Sequence, residues 1–97
     1  MNTAMNRPDV QQAVLRALAS VAPEADTSTL EPRKPLREEL DIDSMDFLNF
    51  VLALHASLGV DVPERDYGKL ATLETCVDYL QERLAAGRTA VVAAQVR

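Results

Sequence analysis

The sequence predicts an all-α protein: a bundle of three main helices and one short helix, with a long connection after the first helix. Apolar residues make up 47% of the 97 residues, while aromatic residues make up only 4% and there is no tryptophan. A core of leucine, valine and alanine with few aromatic side chains is typical of helices rather than of a β-sandwich or barrel. The apolar residues also recur at helical spacing in three stretches. A chain of this length is expected to form one domain with a modest core.

The first helix is predicted between two prolines. Pro8 fits a first helical turn, where its missing N–H costs nothing, and Pro23 ends the helix. One helical face carries Val10, Val14, Ala17, Leu18 and Val21. Residues 23–42 then form a long connection with three prolines, and connections of this length are often functional. We expect four apolar residues to hold it against the core: Leu30, Leu36, Leu40 and Ile42.

The second main helix is predicted to begin at Ser44. Asp43 is a good N-cap, because its carboxylate can accept a hydrogen bond from a free N–H of the first turn. The expected buried face contains Phe47, Val51, Leu54 and Leu58. Gly59 is a natural residue to end this helix. Pro63 then opens a short helix, which we expect to break at Gly68.

The last helix is predicted to be capped by Thr72 and to stop at Gly87. Its apolar stripe contains Leu73, Cys76, Val77, Leu80 and Leu84. The domain is therefore expected to cover residues 1–87. Residues 88–97 show no clear helical stripe, and we predict that they form a flexible C-terminal tail.

Composition and charge argue against several classes of protein. The formal net charge of −5 disfavours nucleic acid and anionic membranes as partners and suits a partner with a basic surface. The single cysteine allows no disulfide within the chain. The N-terminus lacks the apolar core of a signal peptide, and no apolar run approaches the roughly 20 residues that span a bilayer. We therefore expect a cytoplasmic protein that neither binds nucleic acid nor inserts into membranes, and we expect it to be a monomer.

Ser44 is the residue that points to a specific chemistry. Its hydroxyl is predicted to lie at a helix N-terminus, where free N–H groups and the helix dipole favour a phosphate ester. Several carboxylates cluster around it: Glu38, Glu39, Asp41, Asp43 and Asp46. Because this acidic surrounding repels a free anion, a phosphate at Ser44 is expected to be covalently bound.

The run Asp43-Ser44-Met45 resembles the Asp-Ser-Leu motif that opens the second helix of acyl carrier proteins, with Met in place of Leu. The similarity extends over residues 8–85. It includes the order of helices, the run Leu58-Gly59-Val60-Asp61-Val62-Pro63 and the run Lys69-Leu70-Ala71-Thr72-Leu73.

The resemblance implies a carrier rather than an enzyme, with no catalytic residues of its own. Ser44 would bear 4′-phosphopantetheine, attached by a separate phosphopantetheinyl transferase that recognises Asp43, Met45 and Asp46. The arm would hold acyl groups as thioesters and present them to acyl-loading and acyl-processing enzymes in fatty acid, lipid or polyketide-type synthesis.

The chain departs from the family pattern in ways that suggest a specialised member. Members often have Gly two residues before the Asp of the motif, where this chain has Asp41. Carriers of fatty acid synthesis expose Glu along the second helix, where this chain has Asn49, His55 and Ala56. The same helix is apolar on more than one face, so part of it is expected either to form an exposed partner surface or, at Phe47 and Leu52, to lie under the long connection.

Two other functions stay open from the sequence: an aminoacyl or peptidyl carrier, and a non-carrier helical interaction module. The first commonly shows Gly-Gly before the motif, which Leu40-Asp41-Ile42 lacks. A calcium loop starting at Asp41 is rejected, because the required Gly and Glu positions hold Asp46 and Leu52. We expect His55 to be a partly exposed polar residue and Cys76 to be a core residue.

Overall fold

The part of the chain that the structure describes is built from helices, which confirms the predicted fold class. The computed structural model describes the backbone of residues 6–96 and the side chains of residues 6–85. Its α-helices are α1 (Arg7–Val21), α2 (Leu36–Leu40), α3 (Ser44–Leu58) and α4 (Leu73–Val96). Two 3₁₀ helices lie between them, at Thr27–Thr29 and Glu64–Leu70. Helix α1 packs against α3 and α4, and the 3₁₀ helix Glu64–Leu70 packs against α4.

Helix α1 begins with a capping box. The Asp9 N–H donates to Asn6 Oδ1 at 3.2 Å, and the Asn6 N–H donates to Asp9 Oδ2 at 3.4 Å. Pro8 lies in the first turn, as predicted. The predicted apolar face is buried, apart from a half-buried Val21 at the end of the helix.

The predicted apolar stripes of the other two long helices also meet in one core. Its largest fully buried side chains are Phe50, Leu18, Leu36, Leu54, Leu70 and Leu80. The expected faces of α3 and α4 are buried, except that Leu58 and Leu84 are half-buried at their ends. Of the four residues expected to hold the connection against the core, Leu36, Leu40 and Ile42 are buried. Leu30 is partly buried and packs against the same core.

The long connection over residues 23–42 contains short helices that the sequence analysis did not identify. Helix α2 occupies Leu36–Leu40, with Pro35 as its N-cap residue, and both leucines are buried. These leucines stand four residues apart, so one turn of helix brings both to the same side. A single buried turn is too short to show a periodic pattern, whereas the three prolines are typical of a loop.

Two glycines do not end their helices as predicted. The 3₁₀ helix runs through Gly68 to Leu70, and α4 runs through Gly87 to Val96. Glycine within a helix costs only about 1 kcal/mol relative to alanine, so it does not by itself stop one. It ends a helix where it takes the left-handed conformation, as Gly59 does after α3 with φ of 70°. The domain boundary at residue 87 and the flexibility of the tail stay predictions, and the side chains of the tail lie outside the described residues.

Asp41, two residues before Asp43, takes the left-handed conformation that glycine adopts most readily. It ends α2 with φ 54° and ψ 45°, and its N–H donates to the Arg37 carbonyl. Among the described residues it is the only one other than glycine with positive φ. Aspartate tolerates this region better than most residues, but its Cβ still makes the conformation unfavourable.

We expect Asp41→Gly to be more stable than Asp41→Ala by about 1 kcal/mol, because only glycine adopts this conformation without a steric cost. The measurement is the free energy of unfolding in urea. The same pair at the exposed Asp61, which has no positive φ, is the control. There the alanine variant should be at least as stable as the glycine variant. An alanine variant of Asp41 as stable as the glycine variant would contradict the prediction.

Candidate functional site

Ser44 is the first residue of α3, and its side chain is exposed. The helix start is held by a second capping box. The Asp46 N–H donates to Asp43 Oδ1 at 2.9 Å, and the Asp43 N–H donates to Asp46 Oδ2 at 3.4 Å. This confirms Asp43 as the N-cap. The two carboxylates thus bind backbone N–H groups, and the Ser44 hydroxyl remains accessible on the first turn.

Arg37 is a site residue that the sequence analysis missed. Its Nη2 donates to Ser44 Oγ at 3.2 Å, and its Cζ lies 6.0 Å from the centre of the Phe47 ring. The six residues between Arg37 and Ser44 include the end of α2 and the turn at Asp41. No regular spacing predicts contact across such a turn, so the only sequence signal was a cation in an otherwise acidic segment.

Hydrogen bonds to the segment before α4 and to the first turn of α4 hold α2 and the residues before it in this position. The Leu36 N–H donates to the Ala71 carbonyl at 2.7 Å, and the Glu74 N–H donates to the Pro32 carbonyl at 2.9 Å. Pro35 and Thr72 form an isolated antiparallel bridge between these two bonds. Thr72 also caps α4 as predicted, since its Oγ1 accepts from the Thr75 N–H at 3.1 Å.

A cleft of about 690 Å³ adjoins the hydroxyl. It lies between the start of α3 and the 3₁₀ helix Glu64–Leu70, and α2 contributes Arg37 to its wall. Most of its lining is apolar or lacks charge: Ser44, Met45, Phe47, Leu48, Tyr67, Gly68 and Ala71. The cleft can therefore accommodate a slender, largely uncharged chain that begins at Ser44.

Phe47 and Leu52, which the sequence left undecided, behave differently. Phe47 is buried, with its ring edge-on to Tyr67 at 5.7 Å between centroids and 5.9 Å from the Phe50 ring. Leu52 is 56% exposed, together with Leu48 at 39% and Met45 at 65%. These three residues, at positions i, i+3 and i+7, form an exposed apolar face on α3. We call this group the outer face of α3.

Cys76 and His55 are placed as predicted, one in the core and the other exposed. Burial raises the pKa of the Cys76 thiol to about 12. The exposed residues of α3 also include Asn49 and Ala56, which stand where acidic residues were expected. Within the described residues, no cluster of potential ligands is arranged to hold a metal ion. No helix in the part searched is long and apolar enough to cross a membrane.

Comparison with known proteins decides the family. Residues 12–80 match the sequence model of a family described as "Phosphopantetheine attachment site". An acyl carrier protein of Acidothermus cellulolyticus is 30% identical over 73 residues, which cover 72% of this chain and 87% of that protein. The chain belongs to the acyl carrier protein family.

Other members of the family agree with this in length and fold. An acyl carrier protein of Rubrobacter xylanophilus is 29% identical over 82 residues, covering 84% of this chain and all of that protein. The solution structure of the acetyl actinorhodin acyl carrier protein from Streptomyces coelicolor superposes with a TM-score of 0.63 at 23% identity. The superposition covers 90% of this chain and 99% of the Streptomyces protein. The present chain thus carries acyl groups on covalently bound 4′-phosphopantetheine. Members of the family serve as carriers and interact with a phosphopantetheinyl transferase and with acyl-processing enzymes.

We expect Cys76 to be unreactive in the folded protein. At about pH 8 its raised pKa keeps it protonated, and burial keeps reagents away. Addition of a chromogenic disulfide reagent to the unmodified protein should release no signal until denaturant is added. In denaturant the reagent should report one thiol per chain, that of Cys76. Equal rates in native and denatured protein would contradict this placement.

Proposed function

We propose that Ser44 is the attachment site of the 4′-phosphopantetheine and that the acyl group is held as a thioester on its terminal thiol. The observation that carries this proposal is an exposed serine hydroxyl on the first turn of α3, beside a cleft whose lining is largely uncharged. The start of a helix favours the single negative charge of a phosphodiester. The cleft suits the remainder of the arm, a slender chain of methylene and amide groups.

The attachment needs a separate transferase and coenzyme A. The Ser44 hydroxyl gives up its proton and forms a new bond to phosphorus, and the nucleotide part of coenzyme A leaves. Asp43, Met45 and Asp46 would form the edge that the transferase contacts. Met45 is the most exposed large apolar residue described, and Asp43 is exposed beside it, which supports this assignment.

The protein itself would supply no catalytic group. Its contribution would be to present the thioester to successive loading and processing enzymes, raising the local concentration of the acyl group at each. The family relatives favour acyl groups over aminoacyl cargo. We place the carrier in fatty acid, lipid or polyketide-type synthesis. Its cytoplasmic location and monomeric state stay predictions.

The first test is covalent modification. Coenzyme A and a broad-specificity phosphopantetheinyl transferase should add one phosphopantetheine per chain, seen as a single increase in intact mass. Ser44→Ala should show no increase, and Ser57→Ala, another exposed serine of α3, should be modified like the natural protein. Since Cys76 is buried, the modified protein should gain its first reactive thiol. An unchanged mass with several active transferases would exclude the proposed function.

The second test concerns partners. Asn49, His55 and Ala56 are exposed, so enzymes with basic docking surfaces find few acidic groups there. Replacing all three by Glu should raise turnover by a fatty acid elongation enzyme about tenfold at low salt, because opposite charges steer association. The control places three Glu residues on α1, at Gln12, Ala19 and Ser20, which are exposed as well. The prediction is wrong if the natural protein already turns over like an ordinary fatty acid carrier at low salt.

A further inference from the structure

The guanidinium of Arg37 is held beside the Ser44 hydroxyl from two directions. It donates to Ser44 Oγ at 3.2 Å, and the Phe47 ring lies 6.0 Å away, within the range of a favourable cation–π contact. The backbone of Arg37 is fixed as well, because its carbonyl accepts the Ile42 N–H at 3.3 Å at the end of α2. An exposed arginine is thus kept close to one particular oxygen atom.

This guanidinium has no carboxylate partner among the residues whose side chains are described. The ion pairs found there are Arg7–Asp78, Arg33–Glu74, Lys34–Glu31 and Lys69–Asp66. Three acidic residues close to Arg37 in the chain bind backbone groups elsewhere. Glu39 accepts the Glu31 N–H at 3.1 Å, and Asp43 and Asp46 form the cap of α3. The positive charge of Arg37 is therefore available to a further anion.

We propose that Arg37 binds the phosphodiester once Ser44 is modified, and that it directs the arm into the cleft. This inference rests on the proposed attachment at Ser44. The phosphorus would be bonded to Ser44 Oγ, so its two free oxygens would lie two bonds beyond an atom that the guanidinium already contacts. Arginine can donate two parallel N–H groups to such a pair of oxygens, and charge assistance makes these bonds stronger than neutral ones.

The distribution of charge around Ser44 supports this direction. The cleft that contains Ser44 and Arg37 has one carboxylate in its lining, Glu64. A separate and more polar groove near the start of α3 is lined by Asp41 and Asp46. A phosphodiester on Ser44 is attracted towards Arg37 and repelled from the acidic groove, so the arm would leave the helix on the side of the cleft that contains Arg37.

The test compares two arginines of equal charge. Arg37→Gln removes the guanidinium at the site, while Arg16→Gln removes one that is exposed on α1 and outside the lining of the cleft. Arg37→Lys keeps the charge but loses the paired donors. Each protein is prepared in unmodified and modified form and checked by intact mass. The measurements are the ³¹P chemical shift of the phosphodiester and the difference in melting temperature between the two forms.

We expect the ³¹P resonance to move in Arg37→Gln, to move less in Arg37→Lys, and to stay unchanged in Arg16→Gln. The melting temperature of the modified form minus that of the unmodified form should be about 2 °C lower in Arg37→Gln than in the natural protein. This difference should not change in the other two variants. Because each variant is compared with its own unmodified form, a purely structural role of Arg37 cancels. The temperature difference should shrink with added salt, since the groups are exposed.

The outcomes separate this inference from the proposed function. If the natural protein gains no mass, the attachment at Ser44 is wrong and the role of Arg37 falls with it. If all four proteins gain one phosphopantetheine but Arg37→Gln matches the natural protein in both the ³¹P shift and the temperature difference, Ser44 stands and the role of Arg37 is overturned. An equal effect in Arg16→Gln would likewise overturn it, since only net charge would then matter.

Discussion

The packing of α2 against the segment before α4 is the constraint on which the functional surface depends. Leu36 is fully buried, and its N–H donates to the Ala71 carbonyl at 2.7 Å. Burial of one leucine side chain contributes about 1.5–3 kcal/mol to the stability of the fold. The hydrogen bond of the Leu36 N–H is directional, so it also orients α2 relative to Ala71. Together they bring Ala71, which is distant from α3 in the chain, close to the start of α3. The cleft wall then contains Arg37 from α2 and Ala71 from the segment before α4.

The start of α3 combines rigidity with accessibility. The reciprocal bonds between Asp43 and Asp46 fix the first turn, and caps of this kind stabilise a helix by about 1 kcal/mol. Because the N-cap residue supplies the capping oxygen, Ser44 does not need its hydroxyl for the helix. The serine can therefore serve as an exposed anchor on a fixed turn. A carrier benefits from this arrangement, since all mobility can reside in the arm.

The outer face of α3 follows from the size of the domain. Helix α3 is apolar on several sides, but α1 and the core cover only the side that contains Phe50, Val51 and Leu54. Phe47 is covered as well, because Tyr67 of the 3₁₀ helix packs edge-on to its ring. Met45, Leu48 and Leu52 stay exposed to water on the same helix as the proposed attachment site, where partner enzymes of a carrier must approach. Exposed apolar area at such a position is consistent with recognition by contact rather than by charge alone.

The sequence by itself determined the long helices, the cap at Asp43 and the candidate role of Ser44. The helices and the cap depend on spacing and capping, which act between residues close together in the chain. The role of Ser44 was implied by the resemblance of Asp43-Ser44-Met45 and its surroundings to the acyl carrier proteins. Tertiary structure decided the rest. The helical turn Leu36–Leu40 is too short to form alone and exists because its leucines are buried, and Arg37 meets Ser44 only because that turn is held by Ala71. The burial of Phe47 and the exposure of Leu52 likewise depend on which elements pack against α3, and local sequence does not encode such contacts.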